Sequence, residues 1–397
     1  MASLSVSRQA WGSPLKLAAL ALVAAAVAGC VPRSRPEPPP QPQAEPEREP
    51  ERVERPSRLP ADETRNRVAV LVPLTGPNAA LGQSILNAAN LALLDTGGER
   101  IRITAYDTAA SGAASAANEA IADGNGLFLG PLLAEDVRAV APIADREDVP
   151  VVAFSNDSSV AGDGVYLMGF APGPSIERVV AFARSRGAQR FGALVPANVY
   201  GERSARAMTQ AAEGEGANLV GIQTYERSAA GLRAAAGRLA AQGRTDAVLI
   251  ADGPQFASLA APSLRATTPA PRLLGTELWA IEGNAAGQAG LRGAWFAAPT
   301  EANFAAFRNR YRARYGRDPY RLASLGYDAV LLTVRIAADW PVGRRFPETA
   351  LRDRTGFAGV DGAFRFGRDG IAERALEVRE VTATGTNVVS PAPRGFD

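Results

Sequence analysis

The segment RVAVLVPLTGPNAALGQSILNAANLALLD, residues 67–95, indicates how the globular part of the chain folds. It opens with a continuous apolar run of strand length, passes through Thr75-Gly76-Pro77, and then places Leu81, Ile85 and Ala92 at helical spacing. A continuous apolar run predicts a strand that is buried on both faces, and the helical spacing predicts a helix with one buried face. The segment therefore predicts the first βα unit of a parallel sheet.

The same alternation of strands and helices repeats along the chain. Strands are predicted at 101–108, 126–132 and 149–155, and again at 190–196, 218–225 and 246–253, with helices between them. The alternation restarts after Pro172-Gly173-Pro174, which predicts a second α/β lobe. Residues 357–381 alternate apolar and polar side chains around Arg368-Asp369-Gly370, a pattern that predicts a C-terminal β-hairpin.

Three predicted strands of the first lobe end in groups suited to ligand binding. Thr75-Gly76 follows the first strand, Gly130-Pro131-Leu132 follows the third, and the stretch Ser155-Asn156-Asp157-Ser158 follows the fourth. Ligands of open parallel sheets bind beyond the carboxyl ends of the strands, where helix N-termini present unpaired N–H groups. Each stretch alone is typical of a capped loop, whereas three together predict a single cleft.

The first thirty residues have the pattern of a secretory signal. Arg8 and Lys16 precede an apolar stretch from Leu17 to Val27, which is too short to span a membrane. The sequence VAGC at 27–30 resembles the lipobox of bacterial lipoproteins, which implies cleavage before Cys30 and acylation of that cysteine. An ordinary signal followed by a free cysteine is the alternative. Lipid chains on Cys30 would attach the protein to a membrane without spanning it.

The segment that follows Cys30 has the composition of a disordered tether. Residues 31–60 alternate proline with glutamate, arginine and glutamine and contain almost nothing apolar that could form a core. In a polyproline II conformation, at about 3.1 Å per residue, such a segment reaches on the order of 90 Å. A simple spacer is the favoured interpretation, and a Pro-rich docking segment is the alternative.

The composition excludes several kinds of chemistry. The chain has no histidine, its one cysteine is Cys30, and its one lysine is Lys16 in the signal. The mature chain therefore has no Ser-His-Asp unit, Cys/His zinc site, Schiff-base lysine or P-loop lysine, and no cofactor is predicted. The formal charge of +2 falls to about zero when the basic signal is removed, so a nucleic-acid partner is not indicated.

Several motifs together resemble the leucine-binding type of periplasmic binding protein, the type I two-lobed fold. They are VAVLVPLTGPNAALGQSILNAANLAL, LFLGPLLAEDV, VPVVAFSNDSS, NVYGERSA and YGRDPYRLASLGYDAVLL, and the resemblance covers about residues 66–385. Within that family, the lipobox, the tether, GPLLAEDV and FSNDSSVAGDGVYLMGF look most like the C-terminal domain of outer-membrane lipoprotein activators of penicillin-binding proteins.

The resemblance implies a domain organisation and a role. A signal peptide at 1–29 and a lipidated tether at 30–65 would precede one lobe at 66–170 plus 296–342 and another at 171–295 plus 343–390, with crossings near 170, 295 and 342. The implied role is non-enzymatic: a lipoprotein on the periplasmic face of the outer membrane that contacts a penicillin-binding protein, a peptidoglycan synthase. Val31 after the cysteine favours the outer membrane by resemblance to other lipoproteins.

A substrate-binding protein of an amino-acid ABC transporter is the competing hypothesis. By resemblance, its ligand residues would fall on Leu132, Ser155 and Ser158 in the first lobe, with Tyr200 and Asp252-Gly253 closing from the second. The helix that starts at Leu133-Ala134-Glu135-Asp136, however, puts two carboxylates where a ligand carboxylate would lie, and like charges repel. This weakens the prediction of a free amino acid more than that of a cationic or sugar-peptide ligand.

A glycan hydrolase that works through paired carboxylates is the third hypothesis, because Asp157, Asp252 and Glu277 lie near predicted strand ends. Acidic side chains in such loops are more often caps or ligand contacts. The segment FRNRYRARYGRDPY, residues 307–320, predicts a helix whose arginines face solvent while Tyr311 and Tyr315 pack inward. A docking patch for an acidic partner or an anionic glycan is the alternative for this helix.

Overall fold

The computed structural model describes residue 62 and residues 64–396. Its first βα unit follows the sequence pattern closely. Strand β1 (Asn66–Val72) is buried along almost its whole length, and helix α1 (Ala79–Thr96) buries a face that includes Ile85, Ala88 and Ala92. The helix ends at Gly97, whose φ of 64° is the left-handed conformation that glycine adopts without steric cost.

The first lobe is built on a five-stranded parallel sheet in the order β2-β1-β3-β4-β5. Its other strands are β2 (Ile101–Asp107), β3 (Phe128–Leu129), β4 (Val151–Ala153) and β5 (Val165–Leu167). The helices between them are α2 (Ala113–Ala122) and α3 (Ala134–Arg146).

The second lobe is built on a seven-stranded mixed sheet, in which five parallel strands lie beside an antiparallel C-terminal pair. Its parallel strands are β6 (Arg190–Pro196), β7 (Asn218–Tyr225), β8 (Ala247–Ile250), β9 (Arg272–Gly275) and β10 (Trp295–Ala298). The antiparallel pair, Glu377–Val381 and Thr386–Ser390, comes from the C-terminal end of the chain. Its helices are α4 (Pro172–Ser185), α5 (Val199–Gly214), α6 (Ala229–Gln242) and the short α7 (Pro254–Ala257), α8 (Ala261–Arg265) and α9 (Leu278–Ile281).

The chain returns to the first lobe after β10. Helices α10 (Glu301–Tyr315) and α11 (Ala323–Ala337) pack through Phe307, Tyr311 and Val330 into the core that α1 closes. A small antiparallel sheet then forms from β11 (Phe357–Gly359), β12 (Gly362–Phe366) and β13 (Ala372–Arg374). Strand β13 follows β12 through the turn at 367–371, so the predicted hairpin around Arg368-Asp369-Gly370 is confirmed. The last two strands are β14 (Glu377–Val381) and β15 (Thr386–Ser390).

The boundaries of the lobes differ from the sequence prediction in one respect. The chain does not return to the second lobe at residue 342. Instead Phe346, Phe357 and Phe364 pack in the same core as β1 and α1, and the crossing follows Arg374. The reason is that β11 to β13 form their own small sheet, which joins the first lobe where Leu167 bridges Ile371. The other crossings lie between β5 and α4 and between β10 and α10.

The α/β class with parallel sheets flanked by helices is confirmed. Within the described part of the chain, no helix is both long and apolar enough to cross a membrane. The predicted signal peptide at 1–29, Cys30 and the Pro-rich segment at 31–60 lie outside the described residues.

Candidate functional site

The loops at the carboxyl ends of the strands face each other between the two lobes. The loop after β4 carries Asn156 and Asp157, and helix α5 of the second lobe begins opposite it. Arg203 on α5 spans the gap: its guanidinium forms an ion pair with the Asp157 carboxylate and donates from Nη1 to the Asn156 carbonyl over 3.3 Å. Because Arg203 and Asp157 belong to different lobes, their contact marks the cleft between the lobes.

Asp157 has further partners besides Arg203. It also pairs with Arg138 of α3 at 3.1 Å and accepts the Ser159 N–H at 2.9 Å. The side chains of Arg203 and Asp157 are only 11% and 13% exposed. Burial by itself raises the pKa of Asp157, but the hydrogen bonds from Arg203 and Ser159 outweigh it and hold that pKa well below its usual range. Asp157 therefore stays ionised at every physiological pH.

The other predicted residues of the first lobe lie in different environments. Leu132 packs in the hydrophobic core, and Thr75 is exposed at the rim beside Asp107. Ser155 is buried, and its hydroxyl accepts the Asp157 N–H at 3.1 Å. Ser158 is half-buried and begins a short 3₁₀ helix, Ser158–Val160. The polar run after β4 thus mainly builds the turn that presents Asp157 to Arg203.

Carboxylates dominate the rest of the first-lobe rim. Glu135 and Asp136 occupy the first turn of α3, where the helix dipole favours negative charge. Burial raises the pKa of Asp136, the nearby Thr108 hydroxyl opposes this effect, and the charge of Glu135 adds to it. A ligand carboxylate placed here would meet two anionic side chains, as the sequence predicts.

In the second lobe, Tyr200 and Glu277 form a closed buried cluster. The Tyr200 Oη atom lies 2.9 Å from both Thr276 Oγ1 and Glu277 Oε1, and Ser175 donates to the other oxygen of Glu277. Glu277 is 2% exposed, and this burial raises its pKa although both hydroxyls oppose the shift. Burial and the neighbouring Glu277 also raise the pKa of Tyr200 far above its ordinary value. These groups satisfy one another's hydrogen bonds and connect the start of helix α5 to the segment that follows strand β9.

Asp252, at the end of β8, is likewise paired inside its own lobe. It accepts from Tyr225 Oη at 2.8 Å and forms an ion pair with Arg227 at 3.0 Å. Asp252 is 4% exposed, whereas the Arg227 side chain is 56% exposed at the rim. Each of the three candidate carboxylates, Asp157, Asp252 and Glu277, is thus bound by a side chain of the protein itself.

The sequence prediction missed the arginines of the cleft. Arg203, Arg138 and Arg227 pair with Asp157 and Asp252, and none of them was identified from the sequence. One signal for Arg203 was present: it lies three residues after Tyr200, so both side chains project from the first turns of one helix. Its partner in the other lobe is distant in sequence, and no local pattern specifies such a pair.

A second group of charges lies buried beside the hinge. Arg374 lines a small cavity together with Glu277 and donates to the Met168 carbonyl at 2.6 Å. Arg321 pairs with the fully buried Asp361 at 2.7 Å, next to Asp328 of α11. Within the described part of the chain, no group of three or more His, Cys, Asp or Glu side chains could hold a metal ion.

The family relationship can be assigned from comparison with known proteins. The family model described as "Periplasmic binding protein" matches residues 66–386, the two lobes together. This chain belongs to that periplasmic binding protein family. A curated relative, the uncharacterized protein RP748 of Rickettsia prowazekii, is 24% identical over 160 residues, which are 40% of this chain and 43% of the relative. The matched region thus spans less than half the length of that relative.

Solved structures of periplasmic binding proteins share the fold. A putative branched-chain amino acid ABC transporter protein from Rhodospirillum rubrum superposes with a TM-score of 0.71 at 21% identity, covering 82% of this chain and 100% of that chain. The C-domain of LpoA from Haemophilus influenzae, a regulator of PBP1A, gives 0.65 at 18% identity over 82% and 100%. The leucine-binding protein LivK from Thermotoga maritima gives 0.60 at 20% identity over 82% and 98%.

The matched family and these structural neighbours are binding or regulatory proteins and not enzymes, in agreement with the non-enzymatic role expected from the sequence. The type I periplasmic binding protein fold predicted from the sequence is confirmed. At identities below 25%, the similarity of these structures establishes the shared fold.

Proposed function

We propose that this periplasmic binding protein is a non-enzymatic lipoprotein, anchored through Cys30 to the outer membrane, that regulates a penicillin-binding protein through its two-lobed domain. The tether at 31–60 would carry the domain from the membrane towards the synthase, and the domain would act by contact.

The observation that carries this proposal is the mutual pairing of the cleft charges. A free amino acid needs donors for its carboxylate and an acidic side chain for its ammonium group. In this cleft Asp157 is bound by Arg203 and Arg138, while Asp252 is bound by Arg227. Glu277 is buried under Tyr200. An amino acid would have to displace at least one of these pairs before its own carboxylate and ammonium groups could contact the released side chains.

Two features of the sequence support the regulatory role. The mature chain has no histidine and no lysine, so it lacks the two side chains that most often act as general base or amine nucleophile in enzymes. In a polyproline II conformation, residues 31–60 would give a reach on the order of 90 Å. Tethering keeps the domain at high effective concentration near its partner, so weak contact suffices when the linker spans the gap.

A linker experiment tests the proposal in cells. Deleting residues 31–60 while keeping Cys30 should abolish function in cells and leave binding to the isolated synthase intact, because only the reach changes. The matched control replaces the segment with a shuffled sequence of the same length and proline content, and it should retain function. If the shortened protein works normally, the reach argument fails.

Calorimetry with leucine, isoleucine and valine tests the transporter alternative. We expect no binding in the micromolar range, since the cleft charges are already paired. Micromolar binding that Tyr200→Phe or Ser158→Ala abolishes would replace the regulatory proposal with amino-acid transport.

A further inference from the structure

Helix α10 and the turn that follows it present a basic surface outside the cleft. We call the exposed side chains Arg308, Arg310, Arg312, Arg314 and Arg317 the α10 arginine surface. Between Glu301 and Asp318 the sequence has these five arginines and only two acidic residues. All five side chains are exposed, while the apolar side of the same helix is buried in the first lobe.

Internal ion pairs neutralise only part of this surface. Arg310 pairs with Asp95 of α1 at 3.5 Å, and Arg312 pairs with Asp318. Even these two side chains remain 52% and 58% exposed. Within residues 62 and 64–396, the structure gives no ion pair to Arg308, Arg314 or Arg317. The surface therefore carries about three uncompensated positive charges.

The geometry arranges these charges in two rows. At 3.6 residues per turn, Arg308 and Arg312 lie on one flank of the exposed face and Arg310 and Arg314 lie on the other, while Arg317 follows the end of the helix. Partners four residues apart are separated by about 6 Å along the helix axis. A bound peptide offers matching spacings: alternate side chains are about 6.6 Å apart in an extended peptide, and side chains four residues apart are separated by about 6 Å in a helical one. Carboxylates of a polypeptide can thus meet successive guanidinium groups in register.

The chemistry favours a polypeptide over a membrane. Guanidinium groups bind carboxylates in a planar, two-pronged arrangement, and arginine with tyrosine is enriched in protein interfaces. Tyr320, 53% exposed, lies just beyond the arginines. A membrane surface would need apolar side chains to insert, but Phe304 and Phe307 of this helix are buried.

We propose that the α10 arginine surface is the docking site for an acidic polypeptide segment of the protein partner. This inference deepens the proposed function and rests on it only for the identity of the partner. Binding there would leave the cleft untouched, because α10 packs on α1 and α11 at the outside of the first lobe.

The test uses the full chain in neutral detergent micelles and a fluorescent fourteen-residue peptide that alternates glutamate and alanine. Fluorescence anisotropy at low salt should show binding that weakens as salt is added, and no binding of the same peptide with glutamine for glutamate. The variant R308Q/R314Q/R317Q should raise the Kd about tenfold or more, because three charge-assisted contacts are lost. The matched control R186Q/R233Q/R265Q removes three exposed arginines of the second lobe and should change the Kd less than about twofold.

Equal weakening by both triple variants would overturn the site, because it would show a general charge effect. Binding of phosphatidylglycerol vesicles or polygalacturonate, but not the peptide, through the same arginines would overturn the choice of partner. The triple variant is then tested against the isolated synthase. If the triple variant binds the synthase as well as the wild type does, α10 is not the docking site, and the proposed function stands. If the wild-type protein does not bind the synthase, the proposed function alone is refuted.

Discussion

Replacing Arg203 with methionine should open the cleft between the two lobes. Arg203 is the residue of the second lobe that forms an ion pair with Asp157 and a hydrogen bond with the Asn156 carbonyl in the first. Methionine preserves much of the length and apolar character of the side chain and removes the charge. The change therefore tests the ion pair more than the packing of α5.

The size of the effect follows from the burial of the pair. Removing one partner of a fully buried pair costs about 3–5 kcal/mol, and an exposed pair contributes about 0–1 kcal/mol. Arg203 and Asp157 are 11% and 13% exposed, but Arg138 stays with Asp157 and water can enter once the lobes separate. We expect the closed state to lose about 2 kcal/mol, which is about a thirtyfold shift towards open forms.

Pulsed electron paramagnetic resonance measures this shift as a change in the distance between two nitroxide labels. Cysteines introduced by Ala110→Cys and Glu226→Cys place labels on exposed rim positions of the first and second lobe. Arg203→Met should add a population at longer distance. Arg206→Met, one turn along the same helix at an exposed position, is the matched control and should resemble the wild type. Identical distance distributions in all three proteins would refute the idea that this ion pair holds the lobes together.

The pH dependence of closure has a definite sign. The pKa of Asp157 is depressed in the closed state, so its contribution is fully present above the pKa of an unpaired aspartate, about 3.9. That contribution disappears only as the pH falls through the depressed value. The distance distribution should therefore stay constant between pH 5 and pH 8, and a transition within that window would mean that another group controls closure.

Three further predictions concern attachment and stability. Cys30→Ala should move the protein from the membrane fraction to the soluble periplasmic fraction, and persistent membrane association after fractionation would contradict lipid anchoring. Burial and the neighbouring Asp361 raise the pKa of Asp328 to about 7, so the folded state binds the extra proton and the free energy of unfolding should fall as the pH rises from about 4 to 7. Asp328→Asn should flatten this slope in denaturant titrations, and an unchanged slope would assign it to other groups. Gly201→Ala should destabilise the fold by about 1–3 kcal/mol, because a Cβ atom there would lie 1.8 Å from the Pro196 carbonyl oxygen, and an unchanged melting temperature would argue against this close contact of α5 with β6.

Local patterns were sufficient to predict most of the fold. The apolar run of β1 and the spaced apolar residues of α1 specify their own conformations, and the same pattern recurs in each βα unit. The lobe boundary after α11 was wrong because the small sheet β11 to β13 has the sequence pattern of any hairpin. Which lobe it joins depends on contacts of Phe357 and Phe364 with a distant core, and periodicity carries no information about such contacts.

The candidate site was harder to predict than the fold. The sequence placed Ser155, Asp157 and Tyr200 at strand or helix ends near the cleft, and the structure puts them there. It did not predict that Asp157 faces Arg203, since the two residues lie in different lobes. An aspartate in such a loop can be a helix cap, a ligand contact or one partner of an ion pair. Only the position of the opposite lobe distinguishes these roles.

The position of Arg203 has a consequence for how the domain works. In two-lobed binding proteins, hinge closure takes place around a ligand that contacts both lobes. Here the protein supplies the bridging charge itself, because Arg203 reaches Asp157 directly. A ligand can shift closure only through its different affinity for the open and closed states, and a pre-existing bridge reduces that difference. The two lobes can therefore close, and present the surface of the closed domain to a partner, without a bound small molecule. This is the behaviour expected of a regulator that acts by contact.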